Sequence, residues 1–358
     1  MIECVLVTGG AGFIGSALSQ HLVSDGLPVV AIDSFLEQVH PQGKRSEFLH
    51  PDVTVVRDDV RDPKTWSRFL ASYRPIKVVH LAAETGTSQS LTEATRHATV
   101  NVVGTTQMLD AFAQVKLLPE RIILASSRAV YGEGMWRDKA SNRTFYPSTR
   151  TNHMLTRAEW NPRYADNSPA QPVPQDAAVV MPQPTSIYGA TKLTQEHVLA
   201  SWCGAFDVPL SILRLQNVYG EGQSPFNSYT GIINIFHRIA KAKQEIPVYE
   251  DGEIWRDFIH VDDVVTVIAA VNHTLDRVNH KIDVGTGTVT TIYEAARIIA
   301  DLHGAPPPFI CGKFRNGDVR AAVANVEAMS EKLGIKAKVD FAEGSRRVAD
   351  WLQSRGYI

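Results

Sequence analysis

Tyr188 and Lys192 stand four residues apart, a spacing that puts a phenol and an ammonium on one face of a helix. A positive charge beside a phenol lowers its pKa, so Tyr188 reads as an acid and base usable near neutral pH and tuned by Lys192. Ser127 follows the apolar run 121–125 and is placed to offer a hydroxyl to the same reacting oxygen. Tyr-x-x-x-Lys alone is common on helix surfaces. Its weight here comes from a glycine-rich stretch far upstream, Thr8-Gly9-Gly10-Ala11-Gly12-Phe13-Ile14-Gly15, with a GxGxxG pattern at Gly10, Gly12 and Gly15. Glycines at a strand-to-helix turn let the backbone close on a pyrophosphate, whose charge the helix N-terminus stabilises. Asp33 ends the next apolar run, where a carboxylate accepts hydrogen bonds from ribose hydroxyls and repels a 2′-phosphate. That arrangement favours NAD over NADP. Asp58-Asp59-Val60 follows a third run and offers a carboxylate to the adenine amino group.

Strands and helices must bring these residues together, and the hydropathy pattern supplies both. Over the first 130 residues, short β-branched runs alternate with segments of helical period, which predicts βαβ units and a parallel sheet. The runs 4–7, 29–32, 53–57, 77–81 and 121–125 are almost continuously apolar, as strands covered on both faces must be. Apolar residues at three- and four-residue spacing predict helices over 14–25, 63–72 and 100–114. A further helix over 186–201 carries Tyr188, Lys192 and Glu196, followed by strands at 210–215, 258–261 and 281–284. The expected class is α/β: a doubly wound parallel Rossmann sheet with a smaller C-terminal α/β substrate-binding lobe. The Rossmann domain is expected over 1–218 with returning segments in 256–284, and the lobe over 219–358, mainly 219–255 and 285–358. Between 134 and 183 the pattern breaks into a stretch rich in Pro, Asn, Arg and Trp. It is too long for an ordinary connector and of the kind that is functional or partly disordered.

The 358 residues are 44% hydrophobic and 21% charged, enough to bury a large core. Lys plus Arg number 36 against 38 Asp plus Glu, so no basic field draws the chain to nucleic acid or to an anionic membrane, and neither is expected as a partner. The N-terminus lacks the basic region of a signal peptide, and no run of about 18 apolar residues suggests a membrane span. The cytoplasm is the expected compartment. The three cysteines, Cys4, Cys203 and Cys311, are far apart without a CxxC pair. No metal site is expected, and Cys4 and Cys203 read as small core residues.

Taken in order, TGGAGFIG (8–15), HLAAETG (80–86), SSRAVYG (126–132), YGATK (188–192), LRLQNVYG (213–220), RDFIHVDD (256–263) and RNGDVR (315–320) span nearly the whole chain. The set resembles the extended short-chain dehydrogenases/reductases of the nucleotide-sugar epimerase/dehydratase type. With GQSPFNSYTG (222–231) and GKFRNGDVR (312–320), it is most similar to dTDP-L-rhamnose 4-epimerase-like and UDP-hexose 4-epimerase-like members. The resemblance implies that Ser127, Tyr188 and Lys192 are catalytic. It implies that NAD is held by Gly9, Gly12, Phe13, Ile14, Gly15, Asp33, Asp59, Val60, Leu81, Ala82, Ala83 and Asn101, together with Tyr188 and Lys192. Asn101 would help to hold Lys192 through its backbone or a water. The nucleotide-diphosphate sugar would be held by Thr87, Ser127, Arg128, Asn217, Arg256, Arg315 and Asp318, since guanidinium forks suit phosphate oxygens and an aspartate accepts from ribose hydroxyls. Without the resemblance, Arg256 and Asp257 read as a surface ion pair with Asp262 or Asp263.

The implied reaction is epimerisation at C4 of a dTDP-6-deoxyhexose or UDP-hexose. Tyr188 takes the C4 hydroxyl proton while hydride passes to NAD, and both return to the other face of a 4-keto sugar, with Ser127 stabilising the charge on the oxygen. A homodimer is implied as well, the helices 100–114 and 188–201 pairing as a four-helix bundle. Two departures from the family pattern narrow the reading. Dehydratases carry an acidic pair after the residue matching Ser127, where this chain has Arg128 and Ala129, which argues against a 4,6-dehydratase. The segment 134–183 has no cysteine for a zinc knuckle and leaves His153 as a loop residue. The alternatives are an NAD(P)-dependent nucleotide-sugar 4-reductase or dehydrogenase, and an NAD-binding sensor without chemistry.

Overall fold

A strand that is apolar over most of its length has two faces to cover, and seven parallel strands with largely apolar middles form the centre of the protein. In the computed structural model, which describes residues 1–24, 26–40, 43–164, 168–227, 231–274 and 276–358, the strands are β1 (Ile2–Thr8), β2 (Val29–Asp33), β3 (Thr54–Arg57), β4 (Tyr73–His80), β5 (Arg121–Ser127), β6 (Leu210–Leu215) and β7 (His280–Val284). They pair in parallel in the order β7-β6-β5-β4-β1-β2-β3. The order reverses between β1 and β4, so a crevice opens beyond the C-terminal ends of these two strands.

The helices of eight residues or more, among the described residues, are α1 (Phe13–Val23), α2 (Pro63–Ser72), α3 (Gly104–Gln114), α4 (Ile187–Phe206), α5 (Ile232–Lys241), α6 (Val261–His273), α7 (Ile292–His303) and α8 (Phe341–Ser354). β1 sends Val5 and Val7 to one side of the sheet, where Leu18 and Leu22 of α1 and Val264 and Ile268 of α6 cover them. Cys4 and Leu6 point to the other side, under Trp66 and Phe69 of α2, Met108 and Phe112 of α3, and Leu199 and Cys203 of α4. Cys4 and Cys203 are thus core residues. A separate core joins α5, α7 and α8 through Phe236, Ile299, Val348 and Leu352, and forms the C-terminal lobe. No helix among the described residues is long and apolar enough to cross a membrane.

The departures from the sequence reading have local causes. β4 starts at Tyr73 rather than 77, because β1 already offers it partners from Ile2 onward. Pro75, which has no N–H to donate, is tolerated because β5 joins only at Lys77. The strand expected at 258–261 is Phe258–His260, and it pairs with Asn217–Tyr219 outside the main sheet because β7 occupies the edge of β6. The helix expected to start at 100 begins at Ala94 and passes through a π-helical turn, Thr99–Val103, before α3. That turn carries Asn101 in a fully buried position. α1 ends at Val23, while Asp25 of the expected helix and 228–230 of the stretch 222–231 lie outside the described residues. The segment 134–183, whose residues 165–167 also lie outside, contains three short antiparallel strands and a one-turn helix, Asn152–Thr156, on which His153 is exposed.

The β1–α1 turn is where packing is tightest. A Cβ on Gly15 would sit 2.6 Å from both Cα and O of Gly10. Gly15→Ala is therefore expected to push α1 off the turn and cost about 1–3 kcal/mol, read as a lower urea midpoint. An unchanged midpoint would show that the turn yields.

Candidate active site

The crevice is one end of a cavity of about 860 Å³ that runs between the sheet and the C-terminal lobe. At this end its wall is Gly9, Gly12, Phe13 and Ile14 from the glycine loop, Asp33 after β2, Asp59 and Val60 after β3, and Leu81, Ala82 and Ala83 after β4. Gly12 caps α1 without any side chain, so the N–H groups of the first turn stay available to an anion. Gly9 has φ +67°, and a Cβ there would lie 2.8 Å from the Ala82 backbone nitrogen. Asp33 is pinned toward the crevice: one oxygen accepts from Phe35 N at 2.9 Å and the other from Ala11 N at 3.0 Å. Burial tends to raise the Asp59 carboxyl, but the bidentate Arg61 outweighs it and holds it below the usual range. An uncapped helix end, a glycine cradle and a strand-end carboxylate fit the pyrophosphate and ribose of NAD.

Two residues assigned to the cofactor do not reach the cavity wall. Gly15 packs inward on Gly10. The Asn101 side chain accepts from Glu84 N at 2.7 Å, and donates to Glu84 O at 3.0 Å and to Thr191 Oγ1 at 2.9 Å. No hydrogen bond joins it to Lys192; it ties the loop after β4 to α4, one residue before the lysine. The reason is the π-helical turn, which directs this side chain into the protein interior.

In the middle of the cavity stand Ser127, Tyr188 and Lys192. Ser186 caps α4 by accepting from Gly189 N, so the helix starts one residue before Tyr188. A side chain at 189 would collide with the Ala129 carbonyl oxygen, and glycine lets α4 close onto the turn that follows Ser127. Ser127 Oγ accepts from Ala129 N at 3.1 Å, and its hydroxyl pulls the Tyr188 phenol down. Burial raises the phenol above its ordinary value, against the pull of Ser127 and of the Arg128 charge. Lys192, expected to supply that pull, is itself stripped of water and pushed down to about 7, with Glu196 acting in the opposite direction. Arg128 is a cation that pulls the phenol down.

The far end is cationic. Arg128 donates to Asn217 Oδ1 at 2.7 Å, and burial together with neighbouring Arg256 lowers it to about 10. Arg256 is buried and donates to Asp318 Oδ1 at 2.6 Å, while Arg315 lies over the Tyr249 ring at 5.3 Å. Burial would raise Asp318, but Arg256, Arg128 and Arg150 hold it below the usual carboxylate range. The surface ion pair is not formed. Asp262 binds Arg347, Asp263 accepts from Lys338 N and Val339 N, and buried Asp257 accepts from the backbone of Thr286, Gly287 and Ala324. Thr87 lines the cavity at the start of the turn Thr87–Ser90.

Other lining residues escaped the sequence reading. His40 lies 3.5 Å from Asp33, in a stretch with no motif to mark it. Ile232, Ile235 and Ile239 of α5 form an apolar slot with Pro247 and Tyr249. Their helical spacing was legible, but it reads as a core face.

Because Lys192 is depressed from an ordinary value near 10.5 to about 7, the unfolded chain binds a proton over that interval that the folded chain does not. Stability therefore rises with pH above about 7, and below it the full cost of burying the ammonium remains. With bound nucleotide removed, the melting temperature of the wild type should gain on that of Lys192→Met as pH goes from about 7 to about 9. A constant or shrinking difference would contradict the depressed lysine.

Comparison with known proteins agrees with this geometry. Residues 6–149 match the family described as GDP-mannose 4,6 dehydratase, and residues 161–285 match the NAD dependent epimerase/dehydratase family. The chain is 46% identical over 348 residues to a dTDP-L-rhamnose 4-epimerase of Burkholderia thailandensis, covering 97% of this chain and 94% of the relative. It superimposes on the Thermus thermophilus UDP-glucose 4-epimerase in complex with NAD at a TM-score of 0.75 and 27% identity, covering 98% and 99% of the two chains. The Thermotoga maritima UDP-glucose 4-epimerase with UDP-glucose gives 0.77 and 26%, covering 99% of each. This chain belongs to the NAD-dependent epimerase/dehydratase family of the extended short-chain dehydrogenases/reductases.

Proposed function

We propose that this protein interconverts a nucleotide-diphosphate sugar with its C4 epimer through a 4-keto sugar, and that its substrate is a dTDP-6-deoxyhexose of the dTDP-L-rhamnose kind. The observation that carries the reading is one continuous cavity lined by Ser127, Tyr188 and Lys192 together with the glycine loop and Asp33 on one side and Arg128, Arg256 and Arg315 on the other. The nucleobase preference rests on the 46% identical relative, and UDP-hexoses are the alternative that the structural neighbours suggest.

Gly9, the first turn of α1, Asp33, Asp59 and Lys192 would hold NAD, which when bound accepts a hydride from the sugar carbon and returns it. Tyr188 takes the proton of the C4 hydroxyl and gives it back to the epimer. Ser127 donates a hydrogen bond to the same oxygen as charge builds there, and Arg128 stabilises the phenolate. Arg256 and Arg315 grip the diphosphate, oriented by Asp318 and Tyr249. The lobe built from 219–255 and 285–358 thus faces the sugar nucleotide, and the Rossmann domain faces NAD. Elimination of water needs an acid free to act at C5 and C6. Beside Ser127 stand Arg128 and Ala129, while the lining carboxylates Glu84 and Asp318 are paired with Arg96 and Arg256. This supports epimerisation over dehydration.

A homodimer through α3 and α4 is part of the proposal, supported by Val103 beside α3 and Ile187 on α4, which are exposed apolar side chains. Light scattering should give twice the 39.4 kDa of one chain; a monomer would remove this part. For the chemistry, Tyr188→Phe should keep the fold and the NAD content and lose about 10³-fold in turnover. dTDP-L-rhamnose deuterated at C4 should keep its label in the epimer. Loss of the label to water would overturn the proposed route, and net accumulation of NADH would point to a dehydrogenase.

A further inference from the structure

The segment 134–183 lies against 312–325, the stretch that carries Arg315 and Asp318. Gln175 donates its N–H to Val323 O and accepts from Asn325 N, both at 2.7 Å. Asn161 accepts from Arg320 Nε at 2.7 Å. At the centre is Arg150, which is buried and reaches four residues of the chain, the Trp160 carbonyl oxygen at 3.3 Å among them. Its Nε donates to Glu133 Oε1 at 3.0 Å, its Nη1 to Glu250 Oε2 at 2.8 Å, and its Nη2 to the carbonyl oxygen of Asp318 at 2.8 Å. Glu133 uses its other oxygen to accept from Arg320 N at 2.9 Å, and Arg320 itself contacts Glu250. Glu133 and Glu250 are as buried as Arg150 and Arg320, and partly exposed Asp251 holds Arg320 from the solvent side at 2.7 and 2.8 Å.

The position of the bond from Arg150 Nη2 is the informative feature. It ends on the main chain of the residue whose carboxylate holds Arg256, one of the pocket guanidinium groups. We propose that Arg150 is a positioning residue for nucleotide-sugar binding: it fixes the Asp318 backbone so that Asp318 presents Arg256 to the diphosphate, and the inserted segment serves as the frame of that grip. The inference rests on the reading of Arg256 as a diphosphate ligand. A planar guanidinium can serve three acceptors in different directions at once, which an ammonium on a flexible stem does less well.

The test is Arg150→Lys, which keeps a positive charge between Glu133 and Glu250 but loses the fixed fork. Binding of dTDP is measured by calorimetry, NAD content by extraction, and KM and kcat with dTDP-L-rhamnose. The expected result is a cooperatively folded protein with wild-type NAD content, in which dTDP affinity falls and KM rises by about tenfold while kcat falls by about twofold or less. Wild-type dTDP affinity in folded Arg150→Lys would overturn the proposal. If Arg150→Lys does not fold, Asn161→Ala reads the same frame from its exposed edge. It should weaken dTDP by about threefold with NAD content unchanged, and no weakening there would overturn the proposal too. Arg256→Ala separates the two levels of the argument. If it binds dTDP as tightly as wild type, the assignment of the diphosphate site fails; if it binds weakly while Arg150→Lys binds normally, the positioning role alone fails.

Discussion

The chemistry depends on how closely α4 approaches the C-terminal end of β5. Tyr188 sits on the helix and Ser127 at the end of the strand, so both can line one cavity and act on one atom only if the two backbones nearly touch. Gly189 makes that possible, since any side chain there would meet the Ala129 carbonyl. The approach is fixed at a second height two turns further on, where Glu196 accepts from Ser126 at 2.5 Å and from Arg214 of β6 at 2.7 Å. A helix held at two points cannot rock its tyrosine away from the serine, and acid–base transfer is sensitive to displacements of an ångström. The remainder of the molecule serves to hold that contact and to deliver a sugar to it.

Charge is sorted along the cavity. Carboxylates held by backbone N–H groups or by arginine stand at the end of the glycine loop, and arginines at the end of the C-terminal lobe. The two groups of intermediate character, a phenol raised by burial and a lysine lowered to about 7, stand between them. Withdrawal from water does most of this tuning. It makes Tyr188 reluctant to ionise without Arg128 and keeps Lys192 close to the point where its proton is easily gained or lost. The same burial would be expensive for the arginines, and the buried ones among the described residues are paired: Arg256 with Asp318, Arg214 with Glu196, Arg150 with Glu133 and Glu250, Arg320 with Glu250 and Asp251, and Arg121 with Asp276.

Much of this was legible in the residues. Continuous apolar runs specify strands covered on both faces, and only a doubly wound parallel sheet satisfies several of them in alternation with helices. The glycine loop, the strand-end Asp33 and the four-residue spacing of Tyr188 and Lys192 are local patterns with local physical reasons. The burial of Asn101 was not legible, because it lies on a π-helical turn that no spacing announced. The strand at 258–260 was legible as a strand but not as part of a different sheet, since pairing depends on which edge is free.

The sequence by itself determined the class of fold, the strand-to-helix glycine turn and the placing of Tyr188 and Lys192 on one helix, because each follows from residues within a few positions of one another. Only the tertiary structure decided that Arg128 binds Asn217 across 89 residues, that Arg256 turns inward to Asp318 across 62, and that Arg150 reaches the Asp318 carbonyl across 168. A buried charge takes whatever partner the fold brings within 3 Å, and that distance is set by packing between distant segments, which leaves no periodicity in the chain to read.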